Sequence, residues 1–172
     1  MGVYRTRTYI AADFDNDKDA VDKLLQWNDS DYWSLSFTNA HDLQSSYDSS
    51  KPCSIKKSLK MRMDGSKTFV LIVGDETDDV TKGGCQLCES YNAYTKSCAR
   101  GYPVDYRSYI KYECDKAVEA DLKIVVLYKA ASVQRWKCPE SVRYSGVHLP
   151  MLYLKDGRYY WNYNSIKAAL ED

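Results

Sequence analysis

The sequence predicts an α/β fold, a parallel sheet with helices on both faces. Three observations predict it. Two runs, Thr68 to Val73 (TFVLIV) and Lys123 to Leu127 (KIVVL), are continuously aliphatic. Strands covered on both faces have that composition. Strand-like and helix-like segments also alternate along the chain, the order that gives a parallel sheet. Finally, 172 residues suffice for one domain with its own core. No internal repeat or low-complexity linker divides 1–172.

Arg7 to Ala12 (RTYIAA) reads as the first strand, followed by the polar loop Asp13-Phe14-Asp15-Asn16-Asp17. Asp17 is placed to cap a helix from Lys18 to about Trp27, whose Ala20, Val21, Leu24 and Leu25 fall mostly to one side. Trp33 to Phe37 (WSLSF) alternates as a second strand does, and Thr38 to Lys51 is polar. Pro52 suits the entry of a helix reaching about Met63. After the turn at Asp64-Gly65-Ser66 comes the third strand, Thr68 to Val73. Gly74 to Tyr106 is longer than an ordinary connection and holds a cysteine-containing insert at about 83–106. A helix from Tyr109 then runs into the strand at Lys123 to Leu127. Val147 to Leu149 is a short fifth strand ended by Pro150. Asp156-Gly157 joins Leu152 to Lys155 and Arg158 to Trp161 as a hairpin. Asn164 is placed to cap a last helix, Ser165 to Glu171. The pattern is flavodoxin-like in type. Ligands of such sheets bind beyond the carboxyl ends of the strands, where loops start at Asp13, Asn39, Gly74 and Lys129.

Lys plus Arg and Asp plus Glu each number 24, a formal net charge of zero. That argues against bulk electrostatic binding of nucleic acid or anionic membrane. No apolar run approaches the roughly 20 residues of a membrane span. The first residues, MGVYRTRTYIAAD, lack the apolar stretch of a signal peptide. The expected compartment is the cytoplasm. There the six cysteines are expected to be free, metal-bound or redox-active.

In the helix from Tyr109, the residues Ile110, Cys114, Ala117 and Val118 share an apolar face. Lys111, Asp115 and Glu119 lie opposite. Glu113 sits at the border, one turn from Tyr109 and from Ala117, where a carboxylate can lean into a cleft. Among the loop residues, Phe14 either stacks on a base or packs over the sheet edge. Asp13 stands beside it. His41 and Asp42 either form an acid–base pair or cap the next turn. Gly74 either lets a ligand approach the backbone or is simply a turn residue. No glycine-rich phosphate loop follows any strand, which disfavours a dinucleotide dehydrogenase or a nucleotide triphosphatase. Cys85-x-x-Cys88 with Cys98 is a partial metal pattern. A structural zinc needs a fourth ligand, for which Cys53, Cys114, His41 and Cys138 are candidates. Free or redox-active thiols are the other reading.

The stretches RTRTYIAADFDND, FTNAHDL, IKKSLKMRM, KTFVLIVGDET and SYIKYECDKAVEADLKIVVL resemble a TIR-like domain. The resemblance is to the ThsB-type TIR proteins of bacterial Thoeris anti-phage systems and covers most of Arg7 to Leu127. Active members cleave NAD at the nicotinamide–ribose bond. Some release a cyclic or conjugated ADP-ribose signal that activates an effector protein. The resemblance thus implies NAD as substrate, an effector as indirect partner and Glu113 as the catalytic carboxylate. Tyr109 stands where the family's W-x-x-x-E pattern has tryptophan. Asp13, Phe14, His41, Asp42, Gly74 and Tyr109 are the expected NAD-binding residues, and assembly into a homo-oligomer is left open. Two other readings stand beside it. One is a TIR-like module that acts only by binding partners. The other is an enzyme like the nucleoside deoxyribosyltransferases, which also use a cleft carboxylate on a related sheet.

Overall fold

The computed structural model describes residues 7–30 and 51–171. The expected strand Trp33 to Phe37 and the candidates His41 and Asp42 lie outside the described residues. The main elements are β1 (Arg7–Ala11), α1 (Lys18–Asp29), α2 (Pro52–Asp64) and β2 (Ser66–Val73). A small hairpin follows, β3 (Tyr91–Asn92) and β4 (Ser97–Cys98). Then come α3 (Tyr109–Glu119), β5 (Lys123–Tyr128), β6 (Val147–Pro150), the hairpin β7 (Leu152–Lys155) with β8 (Arg158–Trp161), and α4 (Tyr163–Glu171). Among the described residues, four strands form one sheet in the order β1-β2-β5-β6, with every neighbouring pair parallel. This is the flavodoxin-like α/β architecture that the aliphatic runs predict.

The two faces of the sheet follow from the two-residue period of strands. Tyr9, Phe69, Leu71, Ile124, Val126 and Tyr128 point to one face, where Leu59 and Met63 of α2 and Ile110, Cys114 and Ala117 of α3 cover them. Ile10, Val70, Ile72, Val125 and Leu127 point to the other face, under Val21 and Leu24 of α1 and Ile166 of α4. β2 and β5 are therefore apolar at nearly every position. Each fully buried aliphatic side chain contributes roughly 1.5–3 kcal/mol relative to leaving it in water.

Ser108 starts α3. Its hydroxyl accepts the Lys111 N–H at 3.1 Å, a capping bond. Ser108→Ala is expected to cost about 1 kcal/mol, a fall in melting temperature of about 2–4 °C for a chain of this size. A thermal melt followed by circular dichroism checks it. An unchanged midpoint would mean that packing alone holds the helix start.

Several local expectations are corrected. Asp17 precedes α1, but its side chain makes no capping bond. It turns instead toward the Lys129 ammonium at 3.5 Å. α4 begins at Tyr163, so Asn164 lies inside the helix. The chain enters the helix early because the Asn162 carbonyl accepts the Ile166 N–H at 3.3 Å, while the Asn162 side-chain amide is held by the Pro150 carbonyl. Val118 is exposed instead of sharing the apolar face of α3. The Asp156-Gly157 turn has φ of 52° and 75°, the left-handed pair that a tight hairpin needs.

Candidate functional site

Glu113 is 3% exposed. It does not lean into an open cleft. Its neighbours one turn either side, Ile110 and Ala117, are buried on the sheet-facing side of α3 together with Cys114. The border position of the helix wheel therefore becomes interior. There the Tyr9 hydroxyl of β1 donates to Glu113 Oε2 at 2.5 Å, joining residues 104 positions apart. Burial pushes the Glu113 carboxyl up to about 8, and the Tyr9 hydrogen bond opposes that rise. Burial dominates because an apolar surrounding penalises the charged form. The Tyr9 phenol is itself pushed well up, by burial and then by Glu113.

The other candidates are spread about the rim. Phe14 packs against the core on the opposite face of the sheet from Glu113. Asp13 is 7% exposed and is occupied locally. It accepts the Asp15 N–H at 3.2 Å and the Asn16 side-chain amide at 2.6 Å. Gly74 donates its N–H to Thr77 Oγ1 at 2.8 Å. A Cβ at Gly74 would collide with the Asp17 carboxylate. The space that glycine leaves is thus filled by this chain, not held open for a ligand. Tyr109 is half-buried against the core of its face, and burial pushes its phenol up to about 12. A Cβ at Gly83 would stand 2.6 Å from the Tyr109 ring, so the insert lies directly over that ring.

Sequence reasoning missed two features. Tyr9 reads only as an apolar strand residue, and nothing in local spacing ties it to Glu113. The second is a mixed-charge cleft of about 410 Å³ on the outward side of α3, lined by Asp78, Arg107, Lys111, Asp115, Pro139, Glu140, Ser141 and Arg143. Its one sequence signal is the four-residue spacing of Lys111 and Asp115 on one side of α3, with Arg107 just before the helix start. Arg107 bonds Asp115 at 2.8 Å and Asp105 at 2.9 Å. Burial works against ionisation of Asp105, yet the Arg107 hydrogen bonds hold its carboxyl down to about 2.

Hydrogen bonds tie the insert down. Cys85 N–H donates to the Asp105 carbonyl at 2.8 Å, and Cys85 Sγ accepts the Asp105 N–H at 3.2 Å. The buried Lys56 ammonium holds the Arg107 carbonyl at 2.7 Å. The Tyr102 and Arg100 backbone N–H groups point at Cys98 and draw its thiol below the usual range. Cys85, Cys88 and Cys98 are free thiols. Among the described residues, no three His, Cys, Asp or Glu side chains form a group able to hold a metal ion. Backbone amides donate to the sulfurs of Cys85 and Cys98, contacts that free thiols and zinc-bound thiolates accept alike.

No helix among the described residues is long and apolar enough to cross a membrane. No curated protein matches the chain. The family model of the TIR-like domain of Thoeris protein ThsB matches residues 9–82. The match takes in β1, the loop of Asp13 and Phe14, α1, α2, β2 and Gly74, and ends before α3 and Glu113. Over those residues, and in its parallel sheet, the chain is similar to the TIR-like domain of the Thoeris ThsB proteins.

Proposed function

We propose that this protein cleaves NAD at the nicotinamide–ribose bond, with Glu113 as the catalytic carboxylate. Its ADP-ribose-derived product would be the signal, cyclic or conjugated, that switches on an effector in anti-phage defence. The observation that carries the reading is a carboxyl buried on α3 of a TIR-like sheet and raised to about 8. Structural glutamates are rarely fully buried unless paired with a cation, whereas reacting groups are often held at such values.

The chemistry follows from the substrate's charge. Loss of nicotinamide leaves positive charge at the anomeric carbon of the ribose, and a fixed carboxylate stabilises that charge as it develops. At neutral pH the empty site holds Glu113 mostly protonated. The nicotinamide ring of NAD is cationic, and a cation within a few ångströms favours the carboxylate. Substrate would thus generate the anion that its own cleavage needs. Because Glu113 is 3% exposed, entry of NAD requires α3 and β1 to part locally.

The test is incubation with NAD and chromatography for free nicotinamide. kcat/KM reports the free enzyme. It is therefore expected to rise with pH up to about 8 and then level. A flat profile from pH 6 to 9, in an active preparation, would remove Glu113 ionisation from the mechanism. The second reading is a TIR-like module that acts only through surface contacts. It is favoured by the burial of Glu113 behind Tyr9 and predicts no nicotinamide from any preparation, including extracts of phage-infected cells.

A further inference from the structure

We propose that Tyr9 is the positioning residue of Glu113: its hydroxyl fixes the carboxyl's orientation and favours its ionised form. Its place in catalysis rests on reading Glu113 as the catalytic carboxylate. Tyr9 is fully buried in β1. It pairs with Phe69 in register and stacks on the Phe69 ring at 5.8 Å between centroids. The sheet therefore fixes where the hydroxyl lies. Glu113 is carried by another element, α3, and its Oε2 receives that hydroxyl at 2.5 Å. A rigid donor on the sheet thus holds a flexible acceptor on the helix.

A polar pair in such a core is not kept for packing. Two apolar side chains of similar shape would serve stability as well or better, because neither would need desolvation. A hydroxyl aimed at a carboxylate favours the anion. Other charged and titratable groups also act here. Arg62 from α2 and Tyr112 from α3 act on Tyr9, and Cys114 on α3 feels Glu113. Among the groups acting on Glu113, Tyr9 is the one bonded to it.

The experiment is carbon-13 NMR titration of the Glu113 carboxyl in the full chain labelled with glutamate, the signal being identified by its loss in Glu113→Gln. Tyr9→Phe keeps the ring and deletes the hydroxyl. It is expected to move the Glu113 titration up by about one pH unit or more, the scale of a hydrogen bond to a charged group. Fluorotyrosine placed at position 9 keeps the packing and makes a stronger donor. It is expected to move the titration down. If NAD cleavage is present, its acid limb should move with the carboxyl signal. At pH 7, kcat/KM should then fall about tenfold in Tyr9→Phe for each unit of movement. A carboxyl signal titrating at the parent pH in both variants overturns the proposal. Should Tyr9→Phe not fold, the fluorotyrosine arm decides alone. Absence of NAD cleavage in the parent counts against the proposed function, while the NMR arms still decide the Tyr9–Glu113 relation.

Discussion

Glu113→Gln is expected to lower nicotinamide release by about 10²-fold or more, the scale of a main electrostatic group. The loss should fall on kcat, with KM little changed, because the charge acts on the transition state more than on bound NAD. Glutamine keeps the size and can still accept the Tyr9 hydroxyl. The same substitution should change stability in the opposite sense. The carboxyl has a folded value of about 8 against an ordinary 4.5, so between those pH values the folded state binds the extra proton. Stability is then highest below about 4.5 and declines as pH rises toward 8. The total loss is on the order of 5 kcal/mol. Glutamine has no such proton to lose. Urea unfolding at pH 5 and pH 9 should therefore show the variant gaining on the parent at the higher pH. A parent whose stability lost no ground to the variant between those pH values would show that Glu113 is not held as a buried acid.

Gly146→Ala is expected to be among the most damaging single substitutions in the chain. Gly146 has φ of +73° and leads into β6. A Cβ there would strike the Ile124 carbonyl oxygen and come within 2.8 Å of Ile124 Cβ. Ile124 belongs to β5, in the middle of the sheet, so the backbone it would push against is not free to yield. Left-handed backbone alone costs roughly 1–2 kcal/mol for a residue with a side chain. With the collision the total should reach about 3 kcal/mol or more. Gly157 supplies the control, because its φ is +75° but no atom lies within 4 Å of an added Cβ. Gly157→Ala should cost about 1 kcal/mol. Equal urea midpoints for the two variants would show that conformation, and not the Ile124 contact, sets the effect.

The parts of the fold legible in the sequence are those governed by local period and by turns. β2 and β5 announce themselves because covered strands are apolar at almost every position. The Asp156-Gly157 turn does so because few residues accept its dihedral angles. Helix starts were less legible. Asp17 and Asn164 are good capping residues by type, but tertiary partners decided otherwise: Lys129 for Asp17, and the Pro150 carbonyl for the neighbouring Asn162. The site was legible only in part. Glu113 stands out on its helix, yet its surroundings are set by residues distant in the chain. Phe14 packs against the core on the face opposite Glu113, the packing alternative of its two readings. A one-residue step in β1 separates the face of Tyr9 from that of Ile10, and no loop composition reveals which face a following aromatic will take. The three insert cysteines have a ligand's spacing. Spacing does not show that backbone N–H groups also meet the sulfurs of Cys85 and Cys98.

The hydrogen bond between Tyr9 and Glu113 also bears on how the chain is made. It closes a loop of 104 residues, for which the chain entropy alone costs about 4 kcal/mol. Contacts this distant in sequence slow folding. At the roughly 5–20 residues per second of synthesis, Tyr9 leaves the ribosome several seconds before Glu113 exists. Among the described residues the sheet neighbour of β1 is β2, which is synthesised later. Until then its apolar residues Tyr9, Ile10 and Ala11 lack the cover that β2 gives. This is the segment that a holding chaperone would grip first, and also the one through which unfinished chains would stick together.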